Sequence, residues 1–155
     1  MKLDPQTDLT FTRTLNAPRL LLWECWTTPR HIEQFFVPKP NSVDRCEIDL
    51  RVGGKFNTVM IVEGAKVDNK AVYLEIEHGK RLVFTDTYGE GWKPAADPFM
   101  TAILTFEDDG NGGTTYTATA RHRSSQDCKS HADRGFFDGW GTVAIQLEEY
   151  ARSLG

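Results

Sequence analysis

The sequence predicts an α+β fold: a curved antiparallel sheet of about seven strands wrapped around a long C-terminal helix, with two short helices after the first strand. Three observations carry this. Between residues 43 and 123, short apolar–polar alternating runs follow one another, with turn residues every ten or so positions, as antiparallel neighbours require. Beyond Ser125 the period changes. Phe136, Trp140, Val143, Leu147, Tyr150 and Leu154 fall on one helical stripe. A sheet with one apolar face needs a cover, and this helix is the only long one the chain offers.

Taken in order, Leu9 to Leu15 alternates as a strand, with Leu9, Phe11, Arg13 and Leu15 on one face and threonines on the other. Asn16-Ala17-Pro18 stops it, and Pro18 suits a helix start. A short helix follows over Arg19–Thr27, and a second from Pro29 to Phe36. Strands are predicted over Val43–Val52, Lys55–Glu63, Lys66–Glu77, Arg81–Tyr88, Phe99–Glu107 and Thr114–Arg123. The run Asp108-Asp-Gly-Asn-Gly-Gly is a strong hairpin signal, and Gly89–Pro98 is a loop.

Alternation also assigns faces. Tyr116, Ala118, Ala120 and His122 share one side of their strand; Met100, Ala102, Leu104 and Phe106 share one side of the strand before it. Leu82, Phe84, Asp86 and Tyr88 align likewise, as do Phe56, Thr58, Met60 and Val62. The inner face is therefore apolar and partly small, and the threonine-rich outer face is expected to be wet. In the terminal stretch Ser125–Leu154, a second stripe beside the large one holds Phe137, Gly141, Ala144 and Ala151. Gly135, Gly139 and Gly141 cluster there, each costing a helix about 1 kcal/mol relative to alanine, which implies a kink or a need for space. Ser125 and Ser130 are N-cap candidates, with Ser130 and Asp133 spaced as a capping box.

The 155 residues suit one domain, 1–155. The net charge is −4 and no Lys/Arg run exceeds two residues, so no nucleic-acid footprint is present. The longest apolar run, Ala17–Trp23, is broken by Pro18 and Arg19, so no helix here would span a bilayer. The first residues lack a signal-peptide apolar core. Three cysteines without a CxxC pair suit a reducing compartment, and a cytoplasmic location is expected.

Several stretches resemble one family. Phe11-Thr-Arg-Thr-Leu-Asn-Ala-Pro-Arg-Leu-Leu-Leu-Trp-Glu-Cys-Trp-Thr-Thr-Pro is similar to the opening of the activator of Hsp90 ATPase homologue domain, within the START-like (SRPBCC) superfamily. Asp49-Leu-Arg-Val-Gly-Gly-Lys-Phe, Arg81-Leu-Val-Phe-Thr-Asp-Thr, Gly112-Gly-Thr-Thr and Gly139-Trp140 resemble further motifs of that family in the same order. The resemblance implies the helix-grip fold and a cavity between helix and sheet. The superfamily includes lipid and steroid carriers, polyketide cyclases and ligand sensors, so the fold does not choose among them.

The face assignment supplies an expected lining for that cavity. It comprises Trp26, Phe35, Phe56, Met60 and Phe84; Tyr88, Met100, Ala102, Tyr116 and Ala118; and Ala120, Phe136, Phe137 and Trp140. Ala102, Ala118 and Ala120 leave room where larger residues would fill it. Asp86 and His122 are the polar groups of the inner face. They are candidates to orient a ligand or, as an acid–base pair, to catalyse. Trp92 and Asp97 lie in the loop over the expected mouth. The histidines His31, His78, His122 and His131 form no HExxH pattern, and Cys128 with His131 gives only two ligands, so no metal is expected. There is no GxSxG and no phosphate-binding glycine fingerprint; no cofactor is expected. The function expected is non-enzymatic binding of a small apolar or aromatic ligand such as a lipid or polyketide. The alternatives are a cyclase- or hydrolase-type enzyme using Asp86 and His122, and an Hsp90-linked or stress-response protein-binding module. A homodimer is left open.

Overall fold

The computed structural model describes residues 2–155. Its elements in chain order are β1 (Asp8–Leu15), α1 (Arg19–Thr27), α2 (Pro29–Phe35), β2 (Ser42–Ile48), β3 (Lys55–Val62), β4 (Ala65–Glu77), β5 (Arg81–Thr85), β6 (Tyr88–Gly89), β7 (Lys93–Pro94), β8 (Thr101–Asp108), β9 (Thr114–Arg121), α3 (Ser125–Asp133) and α4 (Phe136–Leu154). Seven strands form one antiparallel sheet in the order β1-β9-β8-β5-β4-β3-β2, and β6 with β7 makes a small separate ribbon. The α+β helix-grip architecture expected from the sequence is present.

Local chemistry sets the boundaries. Pro18 precedes α1 in an extended conformation, and Pro29 occupies the first turn of α2, where its missing N–H costs nothing. The side chain of Ser124 accepts from the Asp127 N–H and caps α3. Neither Ser125 nor Ser130 is that cap. Both lie within α3, because the chain turns helical one residue after Ser124. The predicted terminal helix is two helices. The break falls at Arg134-Gly135, where Gly135 takes φ 95°, a left-handed conformation that favours glycine.

Cross-strand register places the inner-face residues side by side. Ala118 stands between Phe11 of β1 and Leu104 of β8, and Tyr116 pairs with Phe106. Ala102 lies between Phe84 and Ala120. Helices α1 and α4 cover this face, and the resulting core gathers Leu15, Leu22, Trp26, Phe56, Leu104 and Leu147. In α4 the stripe from Phe136 to Leu147 is buried or half-buried, but Leu154 at its end is exposed. Phe137, expected beside the small stripe as part of the cavity wall, is 52% exposed.

The outer face is drier than expected. Thr10 and Thr119 share a hydroxyl hydrogen bond of 2.9 Å, as do Thr12 and Thr117. Toward the middle of the sheet, however, Val72, Val83, Thr85, Ile103 and Thr119 are all buried. Val83 lies beside Ile103, and Thr85 beside both Val72 and Thr101, so cross-strand neighbours screen one another from water.

Candidate functional site

A cavity of about 340 Å³ opens between the sheet and the start of α4. Its floor is Trp26 of α1 with Met60 of β3. One side is Phe36, Val37 and Pro38, just after α2. The opposite side comes from Asp86, Phe99 and Met100, which flank the β6–β7 ribbon in sequence. The remaining wall is His131, Arg134 and Gly135 at the α3–α4 break, continued by Phe136, Gly139, Trp140 and Val143 of α4. Asn69 of β4 completes the boundary. A Cβ added at Gly139 or Gly135 would meet nothing within 4 Å.

The lining aromatics brace one another. Phe136 and Trp140 lie 5.4 Å apart between ring centroids, and Phe136 packs edge-on to Phe11 of β1 at 6.0 Å. Trp26 packs edge-on to Phe36 at 5.7 Å and to Phe35 at 5.2 Å. Such edge-to-face packing holds rings in fixed positions. The Trp26 side chain is fully buried, and its indole N–H makes no close hydrogen bond among the described residues. Burial pushes the Tyr116 hydroxyl up and the Trp26 N–H draws it back, so this indole N–H is directed at Tyr116. An unpaired buried donor costs about 1–3 kcal/mol. Thr58 Oγ1 and the Tyr73 hydroxyl are likewise buried and unpaired.

Asp86 fixes the segment that forms one wall. Its carboxylate accepts the Phe99 N–H at 2.9 and 3.1 Å and the Met100 N–H at 3.1 Å. It makes no bond to His122, so the expected acid–base pair does not form. His122 instead accompanies a second histidine. Its Nδ1 is 2.9 Å from the Thr7 carbonyl oxygen, and its Nε2 is 2.9 Å from Nδ1 of His131. Phe99 covers the pair, with its ring 4.7 Å from His131 and 5.6 Å from His122. The Arg134 guanidinium lies over the Phe99 ring, 4.9 Å from its centroid. Burial pushes the His131 imidazole down to about 4, and the neighbouring His122 and Arg134 push the same way. His131 is therefore neutral near pH 7.

Of the residues expected to line the cavity, Trp26, Met60, Asp86, Met100, Phe136 and Trp140 do so. Phe35, Phe56, Phe84, Ala102, Tyr116, Ala118 and Ala120 do not; they are packed into the core. The alanines sit beside large cross-strand partners, Phe11 and Leu104 at Ala118, so the room they leave is taken up by neighbours. Tyr88 turns to the ribbon and packs edge-on to Trp92 at 5.8 Å. Phe137 faces water, and His122 stands behind His131 rather than in the wall. Trp92 does not cover the mouth; its ring lies against Gly53, where any Cβ would come within 2.9 Å. Asp97 is exposed, 3.9 Å from Arg123.

Sequence reasoning missed Phe99, His131 and Arg134. Phe99 falls out of phase with the inner positions of β8, and the other two flank a helix break whose geometry depends on Gly135. Two further hollows differ in kind. One of about 330 Å³ lies across Phe99 and Met100 and includes His122, Arg121 and Arg123. The other, about 400 Å³, is lined chiefly by charged side chains such as Arg19, Glu77 and Asp108. Among the described residues no group of three or more His, Cys, Asp or Glu side chains could hold a metal ion, and no helix is long and apolar enough to cross a membrane.

The model of the family described as "Activator of Hsp90 ATPase homolog 1-like protein" matches residues 16–152. The chain belongs to that family. A crystal structure of a protein from Nitrosomonas europaea is 39% identical, with 98% of each chain covered and a TM-score of 0.95. One from Mycobacterium smegmatis is 26% identical, covering 96% of this chain and 93% of that one, at a TM-score of 0.79. An AHSA1-like protein from Aeromonas hydrophila, solved by NMR, is 17% identical over 96% and 94% of the two chains at a TM-score of 0.72, a likeness of fold. No curated protein matches. Membership in the Activator of Hsp90 ATPase homolog 1-like family agrees with the architecture.

Proposed function

We propose that this Activator of Hsp90 ATPase homolog 1-like chain binds a small, largely apolar molecule in the cavity between α4 and the sheet, and does not transform it. The observation that carries the reading is a cavity of about 340 Å³ between α4 and the sheet, walled mainly by apolar and aromatic side chains such as Trp26, Phe99, Phe136 and Trp140. Small-molecule sites have this character: mostly apolar walls, a few fixed polar groups, and volumes upward of about 300 Å³. Catalysis by Asp86 and His122 is not favoured, since Asp86 is committed to backbone N–H groups and His122 to Thr7 and His131. A reducing, cytoplasmic setting is part of the proposal. Its support is three free cysteines, of which Cys25 and Cys46 have thiols pushed up to about 12 by burial.

Native mass spectrometry of the purified protein tests the reading. A bound mass that leaves on denaturation supports it, and the same spectrum separates monomer from homodimer. An unliganded spectrum, together with no uptake from a panel of apolar and aromatic compounds, would refute it.

A further inference from the structure

The histidine pair specifies one feature of the ligand. The Thr7 carbonyl can only accept a hydrogen bond, and it already accepts the His122 backbone N–H at 2.9 Å. Nδ1 of His122, 2.9 Å from the same oxygen, must therefore carry a proton. In a neutral ring Nε2 of His122 is then an acceptor. With the His122 ring neutral, Nδ1 of His131, facing that Nε2 at 2.9 Å, is the donor. That leaves Nε2 of His131 as a bare lone pair. Among the described residues it has no hydrogen-bond partner, and His131 is one of the residues lining the cavity. The backbone of β1 thus sets, through two rings in series, which atom of His131 accepts.

We infer that the cavity selects ligands carrying a hydroxyl on an aromatic frame, with the hydroxyl donating to Nε2 of His131. This deepens the cavity reading and rests on it. The aromatic frame follows from the walls: Phe99 and Phe136 pack on the His131 ring at 4.7 and 5.1 Å, and Trp140 extends the surface. A flat ring gains edge and offset contacts there that an alkyl chain does not. The hydroxyl follows from the lone pair, which an ether, ester or hydrocarbon cannot satisfy.

A matched probe series tests this: 4-phenylphenol, its methyl ether and biphenyl, titrated calorimetrically into the wild type and His131→Phe. The wild type should bind 4-phenylphenol roughly tenfold more tightly than the other two, the value of one net hydrogen bond. His131→Phe should bind all three alike. Equal affinities in the wild type, or an undiminished preference in the variant, would overturn the inference while leaving the cavity reading standing. Failure of all three to bind the wild type would overturn both. Imidazole ¹⁵N spectra of the wild type give a check that needs no variant. His131 should be protonated on Nδ1, with the Nε2 resonance moving when 4-phenylphenol is added. A proton on Nε2 of unliganded His131 near pH 7 would refute the inference.

Discussion

Both carboxylate oxygens of Asp86 accept the backbone N–H of Phe99, at 2.9 and 3.1 Å. This ties the end of β5 to the start of β8 across the ribbon of β6 and β7, and it sets the wall that faces α4. The Met100 N–H adds a third contact at 3.1 Å. Replacing Asp86 with Ala should leave two N–H groups without their charged acceptor and destabilise the fold by about 1–3 kcal/mol. Urea denaturation measures the loss. Hydrogen exchange at the Phe99 and Met100 amides should accelerate more than exchange in β9; unchanged protection there would mean the wall is held by packing alone.

The histidine pair gives a pH dependence of definite sign. His131 sits at about 4 in the folded protein against an ordinary value of 6.5, so the unfolded chain binds more protons between those limits. Its contribution to stability is full above about pH 6.5 and is lost as the pH falls toward 4. His31 is also lowered, chiefly by burial, and acts in the same direction. The comparison of wild type with His131→Phe isolates the effect. Thermal midpoints of the wild type should drop more steeply between pH 6.5 and 4 than those of the variant. Parallel profiles would mean that His131 is not held neutral by its surroundings.

Two neighbouring aromatics of α4 should respond differently to truncation. Phe136 is fully buried against Phe11 and His131, and Phe136→Ala should cost about 3–5 kcal/mol. Trp140 is half-buried and borders the cavity, so Trp140→Ala should cost only about 1–2 kcal/mol, because much of its surface never leaves water. Ligand affinity should nevertheless fall in Trp140→Ala. Equal stability losses in the two variants would show that Trp140 is a core residue and the cavity is smaller than described.

Overpacking distinguishes core from cavity. Ala118 is completely buried between Phe11 and Leu104, so Ala118→Trp should disrupt the fold. Gly139 meets nothing within 4 Å and has ordinary helical backbone. Gly139→Ala should therefore raise stability by about 0.5–1 kcal/mol, since it removes helix-interior glycine. Chemical denaturation of both variants checks the contrast.

Much of this was legible in the sequence, for identifiable reasons. Side-chain alternation has a strict period of two, so the inner residues of β3, β5, β8 and β9 could be assigned without knowing the pairing. Gly135, Gly139 and Gly141 together read as a kink or a need for space; Gly135 makes the break and Gly139 borders the cavity, whereas Gly141 is buried, with Arg13 3.7 Å from where a Cβ would stand. Periodicity reports which face a residue occupies, not how deep its neighbours reach. Ala102, Ala118 and Ala120 therefore read as vacancies, although Phe11, Phe84 and Leu104 fill them. Asp86 and His122 share a face, but their partners, the Phe99 amide and His131, come from segments whose paths depend on the ribbon and on the left-handed turn at Gly135. Neither path leaves a periodic trace. Phe137 looked like cavity wall because it neighbours Gly141 on the helical wheel, yet the break before α4 turns it to solvent.

The existence of a ligand cavity at the start of α4 is tested most directly by filling it. Gly139→Phe places a ring into the space of about 340 Å³ from a position with no steric conflict at its Cβ. Titration of 4-phenylphenol into wild type and variant, alongside their thermal midpoints, reads the outcome. Binding should be lost in Gly139→Phe while the midpoint stays the same or rises. Equal affinity in the two proteins, with the variant folded, would contradict a binding site between α4 and the sheet.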